Sequence, residues 1–478
     1  MNAPPLWTRA AALAATGGKA EGGDWQATGV SIDSRSVGKG DLFVALPGPK
    51  FDGHDFIAAA LEAGAAAALC HRRPAGLPAG APLLLVPDSL EGLAALGRYA
   101  RARSEATCLA VTGSVGKTST KEMLRHVLAQ QGPTFASAAS HNNHWGVPLT
   151  LARLPLEARY AVFEIGMNHP GEIRPLTRMV QPLVALITTI AAAHVEYFPD
   201  GLAGIADAKA EIFEGLTPGG YAVINADAPM ADRLIGRASA LGARVVTFGR
   251  AEAATVRLLD LSLHATCSAV KVRLGRETLD YCLSLPGEHM AMNSLGVLAA
   301  VRAAGADPVR AATAMAGLKS LKGRGLRQRI DLDPGDQRRG AFDLIDDSYN
   351  ANPTSMRAAF AVLAQSGPEP GGRRVAVLGD MLELGPAGAA LHRALAEPLL
   401  AAGVDLLFCC GPQMRGLYDA IPAKRRGHWA PDSQALAPVV AERLRSGDVV
   451  LVKGSLGSRM ARVIERLSSG ASPSAASA

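Results

Sequence analysis

The segment TCLAVTGSVGKTST, residues 107–120, decides the fold. Its first half, TCLAVT, is a short apolar run typical of a strand that is buried on both faces. Gly113 and Gly116 then interrupt the run, and a helix-forming stretch, KTSTKEMLRHVLAQQ, begins at Lys117. A strand, a glycine turn and a helix in this order predict one unit of a parallel α/β sheet.

The turn in this segment has the composition of a phosphate-binding loop. Its glycines let backbone N–H groups face an anion, and the helix that follows presents its positive end to the same phosphates. Lys117 would reach the outer phosphates, and the Thr118 hydroxyl would bind Mg²⁺. The loop residues that we expect to bind a nucleotide are Gly113, Ser114, Gly116, Lys117, Thr118 and Ser119. The loop alone does not separate a kinase, a GTPase and a ligase.

The flanking sequence continues the alternation of strands and helices. YAVFEIG, LVALITT and YAVINAD are further apolar strands, and residues 254–285 change to the period-two alternation of an antiparallel ribbon. Short strands and Ala-rich helices fill residues 24–103, and a further set of strands, AFDLIDD, RRVAVLGD, VDLLFCC and DVVLVKG, follows residue 318. The sequence therefore predicts separate α/β units, with ligand sites at the carboxyl ends of their strands.

Composition places the chain among globular proteins. Its 478 residues are 48% hydrophobic and 19% charged, and at ~150 residues per domain this length predicts about three domains. The net charge of +6 is scattered and forms no basic stripe with interleaved aromatics, so we expect no nucleic-acid partner. The six cysteines form no Cys-x-x-Cys pair, which disfavours a zinc or redox site. No signal peptide or apolar run of ~20 residues is visible, so we expect a soluble cytoplasmic protein without membrane insertion.

Three further residues are weaker candidates when they are considered singly. Glu164 lies at the end of the strand YAVFE, where a carboxylate beside a phosphate loop can hold Mg²⁺, although a helix cap is an equal alternative. His194 follows another apolar strand, and Lys209 lies in an amphipathic helical stretch. A lone histidine or a lone helical lysine is usually structural or solvated, so spacing alone singles out neither residue.

Eight motifs, in order along the chain, are similar to those of the Mur ligases. They are TGSVGKTST, FEIGMNHPGEI, AAAHVEYF, DAKAEIF, LPGEHMAMN, DDSYNANPTSM, AVLGDMLELG and LVKGSLGSRM. The N-terminal segment SIDSRSVGKGDLFVALPGPKFDGHDF resembles the UDP-binding domain of the same family. The resemblance extends from about Val30 to Arg459 and is greatest to the branch that adds D-alanyl-D-alanine.

The resemblance implies an ATP-dependent ligase that joins an amino group to a carboxylate through an acyl-phosphate. It implies a small α/β UDP-substrate-binding domain (1–104), a central phosphate-loop ATPase domain with a parallel sheet and an antiparallel ribbon (105–317), and a Rossmann-like C-terminal ligase domain (318–467). The low-complexity sequence of the remaining residues predicts a disordered tail (468–478). The implied substrates are ATP, UDP-N-acetylmuramoyl-tripeptide and D-Ala-D-Ala, and the product is the UDP-pentapeptide precursor of peptidoglycan. We expect the enzyme to be a monomer.

The resemblance also implies roles for single residues. Thr118 and Glu164 would bind one Mg²⁺ ion, and His194 and a carbamylated Lys209 would bind a second. Lys117, Lys209, His194 and Arg324 would be the catalytic residues. The remaining nucleotide contacts would come from His289, Asn293, Arg324 and Asp347. The substrate contacts would come from Asp33, Ser34, Arg35, Asn142, Asn143, Asn350, Asn352, Lys453 and Ser455.

Other functions stay open on the sequence alone. One alternative is another ligase of the same superfamily, such as the diamino-acid-adding enzyme or a folylpolyglutamate synthase. The Asp-Asn-Pro-Arg string typical of the diamino-acid-adding enzyme is absent, and DDSYNANPTSM stands in its place. More remote alternatives are a phosphate-loop kinase or switch and a non-catalytic nucleotide-binding protein.

Overall fold

The structure is a computed structural model that describes residues 5–138, 141–192, 195–332 and 340–469. It contains three α/β units, each built around its own main sheet. The predictions of a parallel central sheet, an antiparallel ribbon and a second Rossmann-like sheet are confirmed. Most of the predicted tail, residues 470–478, lies outside the described residues. Within the described residues, no helix combines the length and apolarity needed to cross a membrane.

The N-terminal unit has a five-stranded sheet in the order β2-β7-β6-β5-β4, with a small antiparallel pair, β1 and β3, beside it. Strands β4 to β7 are parallel, and β2 runs antiparallel to β7 at the edge. Its strands are β1 (Trp7–Thr8), β2 (Lys19–Glu21), β3 (Gln26–Ala27), β4 (Gly29–Ser31), β5 (Asp41–Val44), β6 (Ala67–Cys70) and β7 (Leu83–Leu85). Its helices are α1 (Arg9–Thr16), α2 (Ile57–Glu62) and α3 (Ser89–Ala102).

The central unit has a nine-stranded sheet in the order β16-β15-β14-β13-β12-β11-β8-β10-β9. Its strands are β8 (Thr107–Thr112), β9 (Thr134–Ala136), β10 (Tyr160–Glu164), β11 (Val184–Ile187), β12 (Tyr221–Asn225), β13 (Arg244–Gly249), β14 (Val256–Leu263), β15 (Ser268–Leu274) and β16 (Glu277–Leu283). Its helices are α4 (Lys117–Ala129), α5 (Gly146–Ala152), α6 (Ile173–Val180), α7 (Gly201–Ala210), α8 (Ala231–Ala240), α9 (Glu288–Ala303) and α10 (Pro308–Ala314). The strands are parallel from β9 to β14, and β14 to β16 form the antiparallel ribbon.

Apolar side chains alternate between the two faces of the central sheet and create two cores. Leu109 and Val111 of β8 pack with α4 and α9 on one face, whereas Cys108 and Ala110 pack with α5 and α6 on the other. Burial on both faces explains why these strands are almost continuously apolar in sequence.

The C-terminal unit has a six-stranded sheet in the order β17-β18-β22-β19-β20-β21, parallel except for β17. Its strands are β17 (Leu326–Asp331), β18 (Ala341–Asp347), β19 (Arg374–Gly379), β20 (Leu406–Cys410), β21 (Arg426–Ala430) and β22 (Val449–Lys453). Its helices are α11 (Pro353–Gln365), α12 (Gly388–Arg393), α13 (Ala396–Ala401), α14 (Met414–Ala420), α15 (Ser433–Arg443) and α16 (Ala461–Ser468). Helices cover both faces of this sheet, again with one core on each side.

The N-terminal and central units share a hydrophobic core. Leu149 and Ala152 of α5 pack in the cluster that contains Trp7 and the strands of the N-terminal sheet. The indole Nε1 of Trp7 donates to the carbonyl of Ala152 at 2.8 Å, and Nε of Arg153 donates to the carbonyl of Val30 at 2.5 Å. These contacts join the two units as one packed body.

Candidate active site

A cavity of about 770 Å³ lies where the carboxyl ends of the central and C-terminal sheets face each other. From the central unit, it is lined by the loop after β8, the ends of β10 and β12 and the start of α9. From the C-terminal unit, it is lined by the ends of β18 and β22 and by the segment that begins at Leu382. Ligand sites of parallel α/β sheets form at this edge, so the cavity is the candidate active site.

The loop after β8 requires both of its glycines. Gly113 has φ +150° and Gly116 has φ +85°, conformations that side chains with a Cβ rarely adopt. A methyl group at Gly113 would lie 1.9 Å from Oγ1 of Thr188, and one at Gly116 would lie 2.7 Å from Nδ2 of Asn293. The backbone is therefore held close to its neighbours in the shape that a phosphate loop needs. Nζ of Lys117 folds back over this loop and donates to the carbonyl of Gly113 at 2.9 Å.

Thr118, Glu164 and Asn142 form a buried polar cluster beside the loop. The Thr118 hydroxyl donates to Oε2 of Glu164 at 2.7 Å, and Nδ2 of Asn142 donates to its other oxygen, Oε1, at 2.8 Å. Both Thr118 and Glu164 are at most 5% exposed. A hydroxyl and a carboxylate at this separation are the oxygen ligands that Mg²⁺ accepts.

Lys117 and Lys209 lie close enough for their charges to affect each other. Burial lowers the pKa of Lys117, the nearby Glu164 carboxylate opposes this shift, and the Arg324 guanidinium adds to it. Lys209 is buried in α7, and burial together with the charge of Lys117 moves its pKa well below the ordinary value for a lysine. This shift favours the neutral amine of Lys209, a residue that is not among those lining the cavity. The predicted partner His194 lies outside the described residues.

The predicted adenine contacts lie at the start of α9. Burial lowers the pKa of His289 to about 4, with a further lowering from Lys453, so its imidazole is neutral at neutral pH. Asn293 also lines the cavity, but its amide packs against Gly116 of the phosphate loop. The structure thus brings both residues to the cavity, with Asn293 beside the phosphate loop.

The C-terminal unit contributes a second set of charged groups. The Arg324 guanidinium stacks over the ring of Tyr349, 4.2 Å from its centroid. Nζ of Lys453, which is 2% exposed, donates to Oδ2 of Asp347 at 2.6 Å and to the carbonyl of Asn350 at 2.9 Å. Burial raises the pKa of Asp347, and the Lys453 ammonium counteracts it. This ion pair faces the phosphate loop across the cavity.

Two other predicted residues of the C-terminal unit have structural partners. Oγ of Ser455 accepts the N–H of Leu382 at 2.9 Å, which fixes one wall of the cavity. The Asn352 side chain accepts the N–H of Ser355 and caps α11 as part of a capping box. Asn350, Asn352 and Ser455 all line the cavity, so they stay predicted substrate contacts.

Four predicted substrate residues do not line this cavity. Asp33, Ser34 and Arg35 lie after β4, at the carboxyl edge of the N-terminal sheet, where the Arg35 guanidinium bonds both oxygens of Asp33. This contact lowers the pKa of Asp33 to about 2. Oδ1 of Asn143 accepts the N–H of Gly146 at 3.0 Å at the start of α5. Asp33, Ser34 and Arg35 therefore form a region separate from the cavity.

Several cavity residues were missing from the sequence-based prediction. Thr188 and Asn225 lie at the ends of β11 and β12, and Nδ2 of Asn225 donates to the Thr188 carbonyl at 3.1 Å. The strand-end rule that selected Glu164 could have selected both of them. Glu383 also lines the cavity and has φ +61°, which is uncommon for a residue with a side chain. The sequence carried no comparable signal for Glu383.

Comparisons with known proteins cover nearly the whole chain. Three family models match it: "Mur ligase family, catalytic domain" at residues 26–101, "Mur ligase middle domain" at 111–301, and "Mur ligase, glutamate ligase domain" at 335–456. The UDP-N-acetylmuramoyl-tripeptide--D-alanyl-D-alanine ligase of Escherichia coli is 38% identical over 454 residues, which are 94% of this chain and 96% of the relative.

Solved structures match the same architecture. The crystal structure of MurF from Acinetobacter baumannii has a TM-score of 0.83 at 30% identity and covers 98% of this chain and 99% of that one. The MurF ligase from Thermotoga maritima in complex with ADP has a TM-score of 0.74 at 28% identity and covers 92% of this chain and 97% of that one.

Proposed function

We propose, since the chain belongs to the Mur ligase family, that it is the ATP-dependent ligase that joins D-alanyl-D-alanine to UDP-N-acetylmuramoyl-tripeptide. The products would be ADP, phosphate and the UDP-pentapeptide precursor of peptidoglycan. The observation that carries the proposal is the cavity in which the phosphate loop and the Thr118–Glu164 pair face Arg324 and Lys453. The family relationship supplies the substrates, because the similar proteins named above carry this activity in their names.

The buried cluster fits one Mg²⁺ ion. Thr118 and Glu164 would hold it, because their oxygens converge at 2.7 Å beside the phosphate loop. When bound, Mg²⁺ would neutralise negative charge on the phosphate oxygens of ATP. Asn142 would keep the Glu164 carboxylate oriented through its bond to Oε1.

Lys209 fits the proposed carbamylation. A protonated amine does not react with CO₂, whereas the neutral amine favoured by burial at Lys209 can add to it. The amine nitrogen loses a proton as it adds to CO₂, and the product is an anionic carbamate, which would attract the Lys117 ammonium and offer oxygen ligands to a second cation. His194 is the second predicted ligand.

The reaction must overcome the repulsion between two anions. The terminal carboxylate of the UDP-tripeptide attacks the γ-phosphate of ATP, and ADP leaves as an acyl-phosphate forms. Lys117 of the central unit and Arg324 of the C-terminal unit both line the cavity and would stabilise the charge that moves between these groups. The amine of D-Ala-D-Ala then attacks the activated carbonyl, phosphate leaves, and the amide bond remains.

The proposed substrate sites are those that the family resemblance implies. The uridine end would bind near Asp33, Ser34 and Arg35, and the peptide end would reach the cavity past Asn142. The dipeptide would bind on the C-terminal side, near Asn350 and Lys453, together with Asn352 and Ser455. Arg324 and Asp347 would contact ATP from the same side, and His289 and Asn293 would contact it from the central unit.

The direct test is an assay of the purified protein with ATP, UDP-N-acetylmuramoyl-tripeptide and D-Ala-D-Ala. We expect phosphate release that depends on all three substrates, and a product with the mass of the UDP-pentapeptide. Parallel reactions would replace D-Ala-D-Ala with a diamino acid or with glutamate. Formation of product from either of these amines instead, or release of AMP and pyrophosphate, would contradict the proposal.

A further inference from the structure

Lys121 is a completely buried lysine one helical turn beyond Lys117. It lies on α4, the helix that begins at the phosphate loop, and its side chain is 0% exposed. Its Nζ donates to the carbonyl of Ser137 at 2.7 Å and lies 2.8 Å from Oε1 of Glu122. None of the sequence-based site predictions uses this residue.

Burial of a charged ammonium group is energetically unfavourable. Removing the charge from water costs several kcal/mol, and apolar residues of similar volume often replace buried ion pairs with no loss of stability. The neighbouring positions Met123 and Leu124 show that α4 packs well through apolar side chains. The contacts of Lys121 therefore point to a role in fixing a position rather than in stabilising the fold.

The position that Lys121 fixes is the chain that leaves β9 at Ser137. The N–H of Ser137 donates to the carbonyl of Val162 at 3.1 Å, and its Oγ accepts the N–H of Glu164 at 3.3 Å. Together with the Lys121 bond, three polar groups of one residue are tied to α4 and β10. Ser137 thus transmits the position of α4 to the backbone of Glu164.

The same stretch of chain is tied to Glu164 again at Asn142. Its side chain donates to Oε1 of Glu164 at 2.8 Å, and its carbonyl accepts the N–H of Gly166 at 2.8 Å. Oε2 of the same carboxylate accepts from Thr118 on α4. The described ends of the stretch, Ser137 and Asn142, are therefore both fastened to β10, and Ser137 is also fastened to α4.

We propose that Lys121 is a positioning residue for the UDP-linked substrate. By holding Ser137, whose hydroxyl accepts the N–H of Glu164, it helps to fix the residue to which Asn142 is bonded, and so couples the phosphate-loop helix to the wall that the substrate peptide would pass. The inference rests on the proposed function, in which Asn142 faces the muramoyl part of the substrate. Loss of Lys121 should weaken binding of that substrate and leave binding of metal-free ADP intact, because the phosphate loop has its own contacts with Thr188 and Asn293.

The test compares Lys121→Met with Thr177→Val by calorimetric titration. Methionine keeps much of the length of lysine but cannot donate to Ser137. Thr177 is also 0% exposed and donates to the carbonyl of Ile212 at 2.8 Å, so its valine variant loses a buried bond away from the cavity. We expect Lys121→Met to weaken binding of UDP-N-acetylmuramoyl-tripeptide by ~10-fold, equal to ~1.4 kcal/mol. Its affinity for ADP without Mg²⁺, and both affinities of Thr177→Val, should stay within about twofold of wild type.

Each other outcome has a defined meaning. Equal binding of the UDP-tripeptide by Lys121→Met and wild type would overturn the inference alone, and so would parallel losses of ADP and UDP-tripeptide binding. Wild-type protein that binds no UDP-tripeptide would overturn the proposed function and the inference together.

A second, smaller substitution tests the inference if the Lys121→Met variant does not fold. Ser137→Ala removes the hydroxyl that accepts the N–H of Glu164, and we expect it to weaken UDP-tripeptide binding by ~3-fold or more, the effect of one lost hydrogen bond. Unchanged binding by Ser137→Ala would contradict the inference.

Discussion

Lys117 and Lys209 are two amines that burial drives towards the neutral form, yet their proposed tasks differ. Lys117 keeps Glu164 nearby as a counter-charge, whereas the largest charge effect on Lys209 comes from another cation. A phosphate-binding lysine must stay positive, and a lysine that accepts CO₂ must be neutral. The electrostatic surroundings of the two residues match this division.

Replacing Lys117 with methionine should abolish formation of the acyl-phosphate. One charge-assisted contact in a site of this kind contributes about 3–4 kcal/mol to the transition state, so kcat should fall by at least ~100-fold. Phosphate release measured with saturating substrates checks this, and Lys271→Ala, an exposed lysine on the antiparallel ribbon, is the matched control. Near-normal turnover by Lys117→Met would show that Lys117 does not bind the transferred phosphate.

Replacing Lys209 with alanine should also reduce turnover severely, but this loss should be partly reversible. Short organic acids can occupy the space of the lost side chain and supply the missing carboxylate. Isotopically labelled bicarbonate should give a carbamate signal in the NMR spectrum of the wild-type protein that is absent from Lys209→Ala. A variant with unaltered activity would mean that Lys209 only fills space in α7.

A substitution that disturbs the backbone conformation of the phosphate loop tests whether the loop binds the nucleotide. Gly116→Ala adds a methyl group at φ +85°, only 2.7 Å from Asn293, and a left-handed conformation alone costs a residue with a Cβ roughly 1–2 kcal/mol. We expect ADP affinity to fall by at least ~10-fold. Gly236→Ala in α8, where a Cβ meets nothing within 4 Å, is the control and should slightly stabilise the protein. Equal ADP binding by both variants would contradict the assigned loop.

The sequence predicted those strands and turns whose residue pattern is recognisable within a short segment. Strand β8 is recognisable because it is apolar throughout and ends at a glycine turn, and the ribbon is recognisable because its side chains alternate. Strand β17, LRQRID, was missed because an edge strand with mixed polarity lacks both signals. Glu164, predicted from its strand end, and Asp347, predicted from the family resemblance, both line the cavity. Glu383 could not be predicted, because its position depends on a backbone conformation that only the surrounding packing imposes.

At the scale of the whole molecule, the central and C-terminal units already touch across the mouth of the cavity. A methyl group at Gly385 would lie 3.2 Å from Cβ of Glu196, and one at Gly287 would lie 2.9 Å from Cγ2 of Val362. An acyl-phosphate hydrolyses in water, so the reaction needs such contacts to close the site, whereas product release needs them to open.

A disulfide across this contact should therefore stop the catalytic cycle. The 3.2 Å between the two Cβ positions is slightly shorter than the roughly 3.5–4.5 Å between Cβ atoms in disulfides, so a small shift would allow the bond. The double variant Glu196→Cys and Gly385→Cys should lose turnover when it is oxidised and recover it when it is reduced, and each single variant serves as a control. Small-angle scattering of the reduced protein should show compaction on adding an ATP analogue with the UDP-tripeptide. Full activity of the oxidised double variant would show that opening is not required.

The shared core of the N-terminal and central units also governs how the protein melts. Because Trp7 and Ala152 belong to one cluster, heat cannot disorder the N-terminal sheet without exposing α5. The C-terminal sheet has its own two clusters, so a scanning calorimeter should record two heat-absorption peaks rather than three. ADP and the UDP-tripeptide would contact both units across the cavity. Adding them together should therefore reduce the difference between the two melting temperatures.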